Sequence, residues 1–172
     1  LLRQRLRRRR AHRCDRILER RHQRRHHAVG GVLVERLGRR FAHQRVGIGE
    51  ACEEWLICDL AAQSLGAIVY GIYPTASASE VEYQMRDGGA AVFIAENQEY
   101  VDKILIFAER LPALRWIVVL DDSAMFAYRH PKLKSYEELL SAAGEPDLGW
   151  LEQQVAALDP NAPAFIVYTS GT

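Results

Sequence analysis

From residue 46 onward this sequence predicts an α/β fold, with a mainly parallel sheet and helices on both faces. Apolar runs at 67–72, 90–95 and 116–120 are nearly unbroken, which is the pattern of strands buried on both sides. The stretches between them carry helical spacing with helix start and stop signals. Strands alternating with helices pair in parallel through crossover connections. At 172 residues and 48% hydrophobic, the chain also has the material for a sizeable core.

The first strand is the short run Val46-Gly47-Ile48, followed by a helix over 50–65. Ala51, Trp55, Cys58, Ala62 and Leu65 recur on one face of it, and Cys52, Leu56 and Leu60 are expected to widen the buried stripe. Gly66 stops that helix, and the strand 67–72 follows. Tyr73-Pro74-Thr75 turns the chain, and either Ser77 with Glu80 or Ser79 with Glu82 offers a capping box for the next helix. That helix ends at Gly88-Gly89, ahead of the strand at 90–95. A helix over 97–111 stops at Pro112, and the strand 116–120 comes next. Asp121 and Asp122 open a longer connection with helices near 135–143 and 147–158. The turn Asp159-Pro160-Asn161-Ala162-Pro163 launches a last strand, 164–168.

Residues 1–45 break this pattern. They hold 16 Arg, no Lys and three acids, a net charge of +13, whereas residues 46–172 carry a net −12. Leu2, Leu6, Cys14, Ile17 and Leu18 are too few to build a core against such repulsion. Only 29–34 fits a short strand. The expected state is a disordered or loosely helical arm. Arg has GC-rich codons and Lys does not, so an Arg-rich, Lys-free run is what a wrong reading frame through GC-rich DNA produces. The expected division is therefore 1–45 as a segment from a frameshift or wrong start, and 46–172 as a partial domain. A second reading is a nucleic-acid or anionic-membrane arm, since clustered Arg neutralises phosphates. The arm lacks interleaved aromatics, with Phe41 standing alone. A third reading is a solvated tail.

Other functional classes find little support. The three Cys form no C-x-x-C spacing, and an odd count argues against a disulfide framework, so a reduced, cytoplasmic setting is expected. No apolar run is long enough for a membrane-spanning helix. Cys52 and Cys58, six apart on one helix, cannot face a single metal ion. His130 beside Pro131 reads as a loop residue, Asp121-Asp122 as a polar strand-end turn, and the three Trp as packing residues.

The chain's final residues, Tyr168-Thr169-Ser170-Gly171-Thr172, follow the last strand and combine small hydroxyl side chains with glycine. Such a loop can aim backbone N–H groups and hydroxyl donors at phosphate oxygens, with Gly171 allowing close approach. The run resembles the opening of the phosphate loop of the AMP-forming acyl-CoA synthetases, or adenylate-forming family, which reads Tyr-Thr-Ser-Gly-Thr and then Thr-Gly-any-Pro-Lys-Gly. The segments Glu54-Trp55-Leu56 and Leu65-Gly66-Ala67 are similar to the family's early region. Gly71-Ile72-Tyr73-Pro74-Thr75, Leu111-Pro112-Ala113-Leu114-Arg115 and Ser135-Tyr136-Glu137-Glu138 resemble its long-chain fatty acid–CoA ligase branch.

That resemblance implies part of the large N-terminal domain of an adenylate-forming enzyme. It implies ATP, Mg²⁺, CoA and a fatty acid as cofactors and substrates. Thr169, Ser170, Gly171 and Thr172 become the start of the ATP phosphate loop, and the chain carries no catalytic residue or metal ligand of its own. The family's loop Lys would lie beyond Thr172, so an N-terminal fragment, inactive alone, is expected. Its place would be the cytoplasm or the inner membrane face, with no nucleic-acid partner. Another carboxylate specificity (medium-chain, aromatic, acetate or an amino acid), nucleic-acid binding through the arm, or a functionless pseudogene fragment are the competing readings.

Overall fold

A computed structural model describes residues 45–48, 53–142 and 147–169. The expectations for residues 1–44, for Ala51 and Cys52, and for Ser170, Gly171 and Thr172 fall outside the described residues. Five strands, β1 (Arg45–Ile48), β2 (Ile68–Gly71), β3 (Val92–Ala95), β4 (Trp116–Val119) and β5 (Leu133–Ser135), form a sheet of order β2-β1-β3-β4-β5. Every pairing in it is parallel. The helices are α1 (Glu53–Gln63), α2 (Ala78–Asp87), α3 (Gln98–Leu105), α4 (Tyr136–Ser141) and α5 (Leu148–Ala156), with a 3₁₀ turn at Ala108–Arg110.

From β1 the chain steps out to β2 and then returns across β1 to β3. Opposite steps put their helices on opposite faces when both crossovers are right-handed. Accordingly, Cys58 and Ala62 of α1 share a core with Val46 and Val69, while Val81 and Met85 of α2 share the other core with Tyr70. The central strands feed both. Val92 and Ile94 of β3 and Val118 of β4 face the α1 side. Phe93, Ala95, Ile117 and Val119 face the side of α2 and α3. The unbroken apolar runs are thus two alternating sets of side chains, each set serving one core.

Local signals fix the helix ends. Of the two candidate capping boxes, the one used is Ser77 with Glu80. The Ser77 hydroxyl accepts from the Glu80 N–H at 3.3 Å, and the Glu80 carboxylate accepts from the Ser77 N–H at 2.7 Å. The Ser77 hydroxyl also donates to the Glu80 carboxylate at 2.7 Å, and this bond, with the one from the Ser77 N–H, holds the Glu80 carboxyl below its ordinary value. Asn97 caps α3 by accepting from the Glu99 N–H at 2.9 Å. After α1, Gly66 sits at φ +71°, a conformation that strains any residue with a Cβ.

Four expectations need correction. Leu56 and Leu60 do not widen the α1 stripe, because they are 52% and 56% exposed. Only one side of α1 meets the sheet, and nothing among the described residues covers its outer face. The expected helix 97–111 breaks into α3 and the 3₁₀ turn, with Phe107 leaving the helical region at φ −134°. Both forms put Ile104, Phe107, Ala108 and Leu111 in the core, so apolar spacing cannot tell them apart. Strand β5 was not expected, since Leu133-Lys134-Ser135 is a half-buried edge with no apolar run. Finally, the expected strand 164–168 joins the sheet through one parallel bridge, Phe165 to Val69.

Candidate functional site

In open parallel sheets, ligands bind beyond the carboxyl ends of the strands. Segment 164–168 runs parallel to β2 at its bridge and so heads for that end before delivering Thr169, which is exposed. Of the four expected loop residues, Thr169 is the one the structure places. Two backbone bonds hold the segment: the Val69 N–H donates to the Ala164 carbonyl at 3.1 Å, and the Ile166 N–H donates to the Val69 carbonyl at 2.8 Å. Its side chains alternate. Ile166 and Tyr168 pack against the α2 side core, while Phe165 and Val167 are each 66% exposed.

Tyr168 ties this stem to α2. Its hydroxyl donates to the Asp87 carboxylate at 2.9 Å and lies 3.4 Å from the Gln84 carbonyl. Its ring meets Tyr70 edge-on, with centroids 5.5 Å apart and planes at 70°. Tyr70 is fully buried, and its hydroxyl donates to the same Gln84 carbonyl at 3.3 Å. Gly88 is what lets Tyr70 fit: a Cβ there would lie 2.8 Å from the Tyr70 ring. Sequence reading missed this cluster. The available signal was a tyrosine in an otherwise aliphatic buried strand, since a buried phenol needs a hydrogen-bond partner.

The other polar candidates serve the fold. A hydrogen bond from the Ser123 side chain, with a second from its N–H at 3.0 Å, holds the Asp121 carboxyl below its ordinary value, and Ser135 donates to Asp122 at 2.5 Å. His130 lies in a loop, 3.2 Å from the Glu109 carboxylate. Trp55 and Trp116 pack against the α1 side core. Among the described residues no group of three or more His, Cys, Asp or Glu could hold a metal ion. No described helix is long and apolar enough to cross a membrane. A cavity of about 340 Å³ opens at the start of β2, between Leu65, Ala67, Gln154, Leu158 and Pro163. A second, of about 410 Å³, lies beyond β4 and β5 between Asp122, Phe126, Arg129 and His130. Thr169 lines neither. Of the expected loop, the described residues thus show only the exposed Thr169, at the end of segment 164–168.

Comparison with known proteins gives this arrangement a context. The family model described as AMP-binding enzyme matches residues 20–172. The match begins inside the Arg-rich segment. The long-chain-fatty-acid–CoA ligase ACSBG2 of Xenopus laevis is 32% identical over 128 residues, covering 74% of this chain and 17% of that protein. The long-chain-fatty-acid–CoA ligase FadD15 of Mycobacterium bovis is 32% identical over 119 residues, covering 69% and 18%. The crystal structure of the anthranilate CoA ligase AuaEII in complex with anthranoyl-AMP aligns with a TM-score of 0.57 at 28% identity, over 72% of this chain and 24% of that one. The chain thus spans less than a fifth of the length of these two curated relatives.

Proposed function

We propose, because this chain belongs to the AMP-binding enzyme family, that it is part of an ATP-dependent long-chain fatty acid–CoA ligase. In that reaction a carboxylate attacks the α-phosphate of ATP, the α–β phosphoanhydride breaks, and pyrophosphate leaves. The CoA thiol then displaces AMP from the acyl carbon. The observation that carries the reading is the family match running through the strand 164–168 to the hydroxyl-rich residues Thr169, Ser170, Gly171 and Thr172. The names of the relatives at 32% identity supply the acyl class.

Thr169, Ser170 and Thr172 would offer hydroxyl donors, and Gly171 a close backbone approach, to the phosphates of ATP. Mg²⁺ would supply charge neutralisation between phosphate oxygens. We also propose that residues 1–172 alone form no acyl-adenylate, because the stretches they match cover only 17% and 18% of those relatives. A cytoplasmic or inner-membrane-surface setting follows from the same reading. For residues 1–45, the frameshift or wrong-start reading has to accommodate a family match that starts at residue 20. Sequencing the coding DNA upstream of codon 45 in all three frames tests it.

The anthranilate CoA ligase at 28% identity supports a second reading, an aromatic carboxylate. Carboxylate-dependent exchange of pyrophosphate into ATP by the full-length protein carrying this chain separates the two. Faster exchange with palmitate than with anthranilate supports the fatty-acid reading, and the reverse order supports the aromatic one. Exchange with neither defeats both. Adenylate formation by the isolated 172-residue chain would defeat the proposal of inactivity.

A further inference from the structure

We propose that Tyr168 is a positioning residue, a latch that sets where the phosphate loop starts relative to the sheet. This inference rests on the phosphate-loop reading above. Segment 164–168 is held at an edge by a single bridge and leaves Phe165 and Val167 66% exposed. Neither backbone pairing nor burial therefore fixes its end closely. Tyr168 is the last residue before Thr169, and it supplies what the edge lacks.

Three features make it a latch. The wall it leans on is fixed: Tyr70 is 1% exposed, its hydroxyl is tied to the Gln84 carbonyl, and Gly88 leaves room for its ring. The hydroxyl is also aimed, since it donates to Asp87 at 2.9 Å. Finally, Asp87 occupies the last position of α2, where a carboxylate faces the negative end of the helix dipole and weakens the helix. A donated hydrogen bond offsets that cost and gives an acid at this place a purpose. The consequence for catalysis is geometric. Loop donors act only when set closely on the charge they stabilise, and a displacement of about 1 Å is costly. A stem free to slide would carry Thr169 with it.

The test uses Tyr168→Phe, Asp87→Ala and Asp87→Asn in the full-length protein carrying this chain. Tyr168→Phe keeps the ring and removes the hydroxyl, so folding is retained. The expected result is a rise of about tenfold in the KM for ATP, the usual scale for one lost hydrogen bond to a charged group, with the KM for the carboxylic acid unchanged. Asp87→Ala gives a similar rise, and Asp87→Asn, which keeps an acceptor, restores most of it. Both KM values rising together, or neither moving, overturns the latch. If the wild-type protein shows no dependence on ATP, the proposed function has failed instead. The latch is then read by amide hydrogen exchange. Faster exchange at Val69 and Ile166 in Tyr168→Phe supports it, and unchanged exchange overturns it.

Discussion

Strand β3 and segment 164–168 have nearly the same composition and quite different fates. Val92-Phe93-Ile94-Ala95 is buried at every position and paired on both sides, to β1 and β4. Ala164-Phe165-Ile166-Val167-Tyr168 makes one bridge, buries alternate side chains against a single core, and leaves two large apolar groups bare. An apolar run establishes that a segment can be a strand. How many of its faces are covered depends on what the topology places beside it. The proposed substrate chemistry lies with the poorly covered segment, whereas the stability of the molecule resides in the well-covered one.

Mutations can break or sharpen that contrast. Phe93→Ala should cost about 3–5 kcal/mol, the range for truncating a buried aromatic, because Phe93 is 1% exposed at the centre of the sheet. Urea unfolding of the 172-residue chain measures it, and a loss under about 1 kcal/mol would remove the distinction. Gly88→Ala should cost about 1–3 kcal/mol through overpacking. Its Cβ would sit 2.8 Å from both the Tyr70 ring and the Gln84 carbonyl. The new group strikes the wall behind Tyr168, so its damage should reach the edge strand, seen as faster amide exchange at Ile166.

A smaller effect concerns pH. A hydrogen bond from Arg110, with further attraction from that residue and Arg86, holds the Glu82 carboxyl below its ordinary 4.5. The carboxyl titrates lower in the folded state than in the unfolded one. The pairing therefore adds stability above 4.5 and loses it as pH falls through the lowered value. Glu82→Gln should flatten the acid limb of a melting-temperature profile, and an unchanged limb would show the pairing contributes nothing. Phe165→Ser should be smallest, within about 0.5 kcal/mol in urea. A loss as large as that of Phe93→Ala would mean the edge is as well buried in solution as the centre.

The sequence was most legible where one physical signal pointed one way. Unbroken runs around Phe93 and Ile117 and the turn at Gly66 gave elements close to those observed, whereas the sequence offered two capping boxes and the structure uses Ser77 with Glu80. Legibility failed where signals were degenerate or non-local. Leu56 and Leu60 looked like core because spacing records a face of a helix without recording what covers it. Leu133-Lys134-Ser135 looked like loop because a half-buried edge strand, paired on one side only, needs no apolar run. At the candidate site, the loop composition was visible, while the tie from Tyr168 to Asp87 spans two distant segments that no local pattern links.

The bridge between Val69 and Phe165 also has a meaning in time. A chain emerging from the ribosome at about 5–20 residues per second exposes β2 on its outer edge for roughly 5–20 seconds before the closing segment is made, about a hundred residues later. Throughout that interval the nascent protein presents an open row of backbone donors and acceptors along β2. The last described segment to be synthesised is therefore also the one that begins to cover that edge, at Val69.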